Sequence, residues 1–355
     1  MSAIDYSIFE VSCDIHCAAT QLDTITSSTT DMENIKLIPS LESISKQELY
    51  DNWEKNAPKI MFGEHQLSLD ISEDVGEFFR EKAKKELRET PEVVAQGFKE
   101  LKELISEEPD LHVPKDMEDF LIVFLRPCKW YAESAFILMQ RYYRFRQTYS
   151  HLYKDLSISK DKTAMCAGMV ILLPLRTKDG SRVVVVDCGK WDPKEVSVDE
   201  CVKGIIIGLF LTFVEYKTQI AGGHIILDVE GTSFGQLRHA TVSLLKMMSH
   251  FLQRCLPIRV KGFHVVNQSR VVNVALALIK RFMEEKYRDR IYIHGTNWES
   301  LMTHIDKRAL PKKYDGDIEM PKEECGVALW QNFLYLEPMF LAELQYGYKT
   351  DKDKM

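Results

Sequence analysis

The spacing of apolar side chains changes character twice along this chain. Residues 1–40 are rich in Ser and Thr, most densely from Thr24 to Thr30, and show neither helical nor strand periodicity, which reads as a flexible leader. From Ile71 to Ser106 charged and apolar residues recur at helical spacing. Ser72 with Asp74 offers an N-cap there, and Pro91 stands where a second helix begins. Asp116 is placed to cap a third helix, in which Phe120, Leu121 and Phe124 make an apolar stripe. A fourth is predicted from Ala132 to Tyr149, with Ala135, Leu138, Tyr142 and Phe145 on one side and Arg141, Arg144 and Arg146 on the exposed side. Helices joined by short links predict a small all-α bundle over residues 41–155.

After Ser159 the pattern becomes that of buried strands. Val183 to Val186 is an unbroken β-branched run behind the turn Lys178-Asp179-Gly180-Ser181, as expected of a strand covered on both faces. His224 to Glu230 is a second strand, Ile258 to Val266 a third and Arg290 to His294 a fourth. Helical stretches between them make βα units, so the expected fold is α/β over residues 156–321, a mostly parallel sheet with flanking helices. Residues 322–355 read as a peripheral helical or irregular segment.

Composition narrows the function more than the fold. A net charge of −7 over 355 residues argues against bulk nucleic-acid binding, which needs a basic footprint. The apolar runs at Ala164 to Leu175 and Gly204 to Val214 fall short of the ~20 residues a membrane span needs. No secretory signal is visible, and the eight cysteines show no framework spacing, so they are expected to be free thiols in a reducing compartment. Cys13, His16 and Cys17 make at most half a metal site, and no metal or cofactor is expected.

Three local patterns carry candidate chemistry. Arg270 to Glu285 forms a helix with a very broad apolar arc, which suits a core helix or a lid. Between Arg259 and Arg290 eight Lys/Arg stand against three acids, a local excess of +5 that suits either a solvated surface or an anion site. In Ile258-Arg259-Val260-Lys261 strand alternation puts both cations on one side. Finally, Gly231-Thr-Ser233-Phe-Gly235 fits a nucleophile elbow after a strand, making a serine esterase using Ser233 the enzyme alternative, although no HGGG-like oxyanion segment precedes it.

The stretches FLIVFLRPCKWYAESA (Phe120 to Ala135), GKWDPKE (Gly189 to Glu195), HIILDVEG (His224 to Gly231), PIRVKGFHVVN (Pro257 to Asn267) and EEKYRDRIYIHG (Glu284 to Gly295) occur in order over some 250 residues. On them the chain resembles the CRAL-TRIO lipid-binding family, the tocopherol- and retinaldehyde-binding type with its insect relatives. That resemblance implies a non-enzymatic carrier whose sheet holds a hydrophobic lipid under a mobile helix. The lid residues would be Val271, Val272, Ala275, Leu278 and Phe282. The pocket would take Ile225, Leu227 and Val229 from one strand face, joined by Val184 or Val186. Its walls would be Trp191, Phe210, Phe213, Phe234, Leu244 and Met248, with Ser233, Tyr216 or His264 orienting the ligand's polar end. The family's phosphoinositide headgroup positions fall on Arg259, Lys261, Lys286 and Arg290, with Lys and Arg exchanged between the first two. The expected protein is thus a monomeric cytoplasmic carrier of a retinoid, tocopherol or similar isoprenoid, peripheral to endosomal or other internal membranes. A phosphatidylinositol or phospholipid exchange protein is the alternative within the same fold.

Overall fold

The computed structural model describes residues 46–268, 270–321 and 325–349; for Lys46, Leu211, Thr212, Arg270, Val271 and Cys325 only the backbone is described. The leader, with Cys13, His16 and Cys17, lies outside the described residues. Five strands form the main sheet: β1 (Val170–Leu172), β2 (Arg182–Asp187), β3 (Gly223–Asp228), β4 (Val260–Val266) and β5 (Ile291–Gly295), in the order β1-β2-β3-β4-β5. All neighbours are parallel except the β1–β2 pair, which is antiparallel. The expectation of a mostly parallel α/β sheet holds, and the β-branched runs form its centre because both faces are covered. The apolar run at 164–175 divides between a short helix, Lys162–Cys166, and edge strand β1.

Before the sheet come α1 (Glu77–Leu87), α2 (Pro91–Ser106), α3 (Glu118–Leu125) and α4 (Ala132–Thr148). Pro91 opens α2 behind Thr90, whose hydroxyl accepts from Val93 N. The other two expected caps are displaced. Asp74 accepts from Gly76 N in a turn that precedes α1, and Met117, not Asp116, occupies the N-cap of α3. Between α3 and α4 the backbone takes two consecutive left-handed residues, Lys129 (φ 54°) and Trp130 (φ 63°), a strain of order 1–3 kcal/mol each. Burial of Trp130 and a convergence on Glu89 hold this turn: Arg126 grips that carboxylate with two bonds of 2.8 and 3.1 Å, and the Trp130 indole donates to it at 3.0 Å.

Within and after the sheet lie α5 (Val198–Val214), α6 (Val242–His250), α7 (Arg270–Arg281), α8 (Cys325–Leu334) and α9 (Glu337–Leu344). The C-terminal segment is not peripheral. Phe333, Leu336 and Phe340 are each 1 % exposed, because the segment buries its apolar side in the main core. Glu343 pairs with buried Arg146 at 2.7 Å, and Gly347–Tyr348 pairs with Leu111–His112. At the start of β2, buried Arg182 pairs with buried Glu215, and Arg176, Asp70 and Lys217 complete the ionic network.

Candidate functional site

The two faces of the sheet differ residue by residue. On the back face Val183, Val185 and Ile226 are 0–1 % exposed. On the front face Val184, Val186, Ile225 and Leu227 are only half-buried, although they occupy central strands. Register sets Val184 beside Ile225 and Val186 beside Leu227, so these aliphatic chains form one contiguous patch. A patch in the middle of a covered sheet that stays partly accessible faces a gap its covering helices do not fill.

Residues of three helices belong to the apolar clusters that include part of this patch. Phe213 of α5, with Leu244 and Met248 of α6, are half-buried members of the same apolar cluster as Val184 and Ile225. Helix α7 packs on the front of β3 and β4. Val272 and Leu276 pack with Val229, Val265 and Leu227 in a small cluster separate from the main core. Ala275, Leu278 and Phe282 are half-buried, and Val274 is 71 % exposed, an unusual position for an aliphatic residue. The side chain of Val271 lies outside the described residues. Gln253, in a π-turn after α6, holds the end of α7: its amide donates to Phe282 O, its side-chain oxygen accepts from Glu284 N, and its backbone carbonyl accepts from Tyr287 OH.

Several expected pocket residues lie elsewhere. Phe234 is 76 % exposed, because it opens a one-turn helix, Phe234–Leu237, at the rim. Phe210 is buried edge-on against Phe340 and belongs to the core. Trp191 is half-buried in the loop after β2, its indole donating to Val196 O at 2.8 Å. Tyr216 donates to Asp119 at 2.6 Å under the Arg126 guanidinium, away from any role in orienting a ligand. His264 has the parity of the back face, as its pairing with Ile226 requires.

The nucleophile-elbow pattern has a structural explanation. Ser233 is an N-cap in a full capping box: its hydroxyl accepts from Gln236 N, and Gln236 accepts from Ser233 N. Buried Gln236 then donates to the carbonyls of Cys188 and Gly189, tying this turn to the loop after β2. A side chain at Gly189 would collide with Glu230 O, and Gly231 takes φ 69°, so the two loops meet at positions only glycine suits. Asp228, at the end of the LDVEG strand, is 1 % exposed and accepts from Tyr314, Lys313 and Asn267 at 2.7–2.9 Å. Burial alone would raise its carboxyl; those donors outweigh burial and hold it below the usual range.

On the back face His224 Nδ1 lies 2.9 Å from His264 Nε2, His264 Nδ1 3.0 Å from His294 Nε2, and His294 Nδ1 2.9 Å from Ser300 Oγ. Burial, chiefly, brings His224 down to about 4, and burial together with its histidine neighbours brings His264 to about 2. The motifs supplied these histidines singly; only the register places them in file. Ser249 was not anticipated either. Its hydroxyl, on the helix that carries Met248, is buried with no hydrogen-bond partner among the described residues.

Three of the four cations, Arg259, Lys261 and Arg290, stand at the N-terminal end of β4. Arg259 donates to Ile220 O and to Glu86 at 2.8 Å, and Lys261 lies 3.5 Å from the same carboxylate. Arg290 donates to Val260 O at 2.7 Å, and Lys286 and Arg290 both stand over the Tyr287 ring.

The family model described as CRAL/TRIO domain matches residues 167–316, a span that contains all five strands of the sheet. The alpha-tocopherol transfer protein-like chain of Homo sapiens is 31 % identical over 254 residues, covering 71 % of this chain and 73 % of that one. Clavesin-1 of Pongo abelii is 30 % identical over 272 residues, 76 % of this chain and 75 % of its own. Clavesin-1 of Mus musculus is 29 % identical over 90 % of this chain and 85 % of its own. The chain belongs to the CRAL/TRIO family, whose members bind and transfer lipophilic ligands.

Proposed function

We propose that this protein binds one hydrophobic lipid, a retinoid, tocopherol or similar isoprenoid, against the front face of its sheet and carries it between membranes without transforming it. The observation that supports this most directly is the half-buried aliphatic patch of Val184, Val186, Ile225 and Leu227 on the front of β2 and β3, with α7 packed against Leu227. A lipid of that class would complete the missing contacts at roughly 25 cal/mol per Å² of apolar surface covered. The alpha-tocopherol transfer protein-like relative, by its name, favours an isoprenoid cargo. No cofactor enters this reading.

Unloading is proposed to occur at cytoplasmic surfaces of endosomal or other internal membranes, by a monomer. Exposed Phe234, Val242 and Val274 lie on adjoining elements around α7 and suit insertion at a lipid interface. The cluster of Arg259, Lys261, Lys286 and Arg290 suits a phosphoinositide headgroup. Among the described residues no helix is long and apolar enough to cross a membrane, so attachment would be peripheral.

Organic extraction of the purified protein followed by mass spectrometry tests the cargo. An isoprenoid in near-stoichiometric amount is expected. Phosphatidylinositol in its place would make the protein a phospholipid exchanger, and no lipid at all would overturn the carrier reading. For docking, reversal of charge at Lys261 and Arg290 together should abolish preference for phosphoinositide vesicles while the cargo stays bound, measured by sedimentation at near-physiological salt.

A further inference from the structure

Half of the basic cluster is already occupied. Glu86, in the last turn of α1, accepts from Lys82 at 2.7 Å with one carboxylate oxygen and from Arg259 at 2.8 Å with the other, which also lies 3.5 Å from Lys261. Asp179 adds a second negative charge, 3.6 Å from Lys82 and 3.7 Å from Lys261. Burial raises the Glu86 carboxyl, but the bonds from Lys82 and Arg259 outweigh it and bring the group down to about 2, so it is ionised at any physiological pH. Lys286 and Arg290, in contrast, make no ion pair among the described residues; they flank the Tyr287 ring. The cluster therefore has a neutralised half supplied by β4 and an open half supplied by the segment before β5.

Glu86 offers Arg259 and Lys261 what a phosphate oxygen would offer them, an anionic acceptor at hydrogen-bond distance. We infer that Glu86 is an internal competitor for the anion, holding Arg259 and Lys261 until a ligand of higher negative charge takes them, and so sets which anionic surfaces the protein accepts. This rests on the proposed headgroup role of the cluster. A phosphodiester carries one charge and gains little by displacing a carboxylate. A phosphomonoester carries about −1.5 to −2, and two of them on one inositol ring also reach the open half, where Lys286 and Arg290 give the ligand a first hold. Asp179 is itself held by Thr177 and Ser181, so Glu86, in the last turn of α1, is the carboxylate that yields.

Sedimentation with vesicles at near-physiological salt tests this, comparing wild type with Glu86→Gln, which keeps an acceptor for Arg259. Glu81→Gln on the same helix controls for net charge. Glu86→Gln should bind phosphatidylserine vesicles roughly tenfold more tightly than wild type, and its preference for bisphosphorylated phosphoinositide should shrink, with Glu81→Gln unchanged. Soluble inositol trisphosphate should compete and inorganic phosphate should not, which separates a headgroup site from a simple phosphate site; competition by both would reduce the cluster to the latter. If Glu86→Gln matches wild type on every vesicle while the Lys261/Arg290 reversal abolishes binding, the competitor role falls and the headgroup site stands. If wild type and Glu86→Gln alike ignore all anionic vesicles, the headgroup reading itself falls. Should the variant prove unstable, hydrogen exchange in wild type decides: inositol trisphosphate should speed exchange in the last turn of α1, and unchanged exchange there would overturn the inference.

Discussion

The two faces of one five-stranded sheet are built to opposite standards. The back is filled: Val183, Val185, Ile226 and His264 are at most 1 % exposed, and its polar groups, the three histidines and Asp228, are all paired. The front is apolar and unevenly covered: Val184, Val186, Ile225 and Leu227 stay half-buried on β2 and β3, while Val265 of β4 is buried against α7. Since successive residues of one strand supply both faces, the difference lies in what covers them. Stability is concentrated where packing is complete; the proposed cargo site is where packing is incomplete.

That contrast is most directly broken by truncating neighbours on one strand. Ile226→Ala, on the back, should cost 2–5 kcal/mol in urea unfolding, and Ile225→Ala, one residue away on the front, less than about 1.5 kcal/mol without cargo. Equal costs would abolish the distinction.

Acid should attack the back face next. An unfolded histidine takes up a proton below about pH 6.5, whereas folded His224 stays neutral to about 4 and His264 to about 2. Below 6.5 the unfolded chain therefore binds more protons. Stability is complete above that pH and falls by about 1.4 kcal/mol per unit for each of these histidines, about 2 kcal/mol each by pH 5. Glu215, brought down to about 2 by Arg182 and Arg176 against burial, works in a lower window, losing its contribution only below its ordinary 4.5. Melts at pH 7.5 and 5.0 should differ clearly, and His264→Leu should narrow that difference; a flat profile would mean the histidines are not protected.

Ser233→Ala should cost about 1 kcal/mol, the loss of a cap, with cargo retention unchanged. A 10³-fold fall in some ester hydrolysis would instead make Ser233 a nucleophile. The smallest effect belongs to Val274→Asp on the outer side of α7. Stability should change by less than about 0.5 kcal/mol, while transfer to acceptor vesicles slows; unchanged transfer would remove that side of α7 from membrane contact.

The strands and the long helices were legible because β-branched runs and helical periodicity are local properties. So was the breadth of the apolar arc on α7. Caps were less so: Ser72, Asp74 and Asp116 all have cap chemistry, and the turn geometry that decides among them is not local. Phe234 reads as a pocket wall because its hydrophobicity is visible and its place on a one-turn helix at the rim is not. The C-terminal segment reads as peripheral because no local pattern says what it packs against, yet Phe333 and Phe340 complete the core. Glu86 was invisible as a partner of Arg259, 173 residues away in sequence.

The histidine file has one more property, which follows from counting protons. A neutral imidazole carries one N–H, so His264 and His294, each bonded through both nitrogens, give one hydrogen bond and take one. If His264 Nδ1 gives to His294, then His264 Nε2 is bare and must take from His224 Nδ1, and His294 must give from Nδ1 to Ser300. Reversing any one link reverses all of them. Three rings and a hydroxyl on β3, β4, β5 and the helix beyond thus share a single direction, a binary variable written across three adjacent strands.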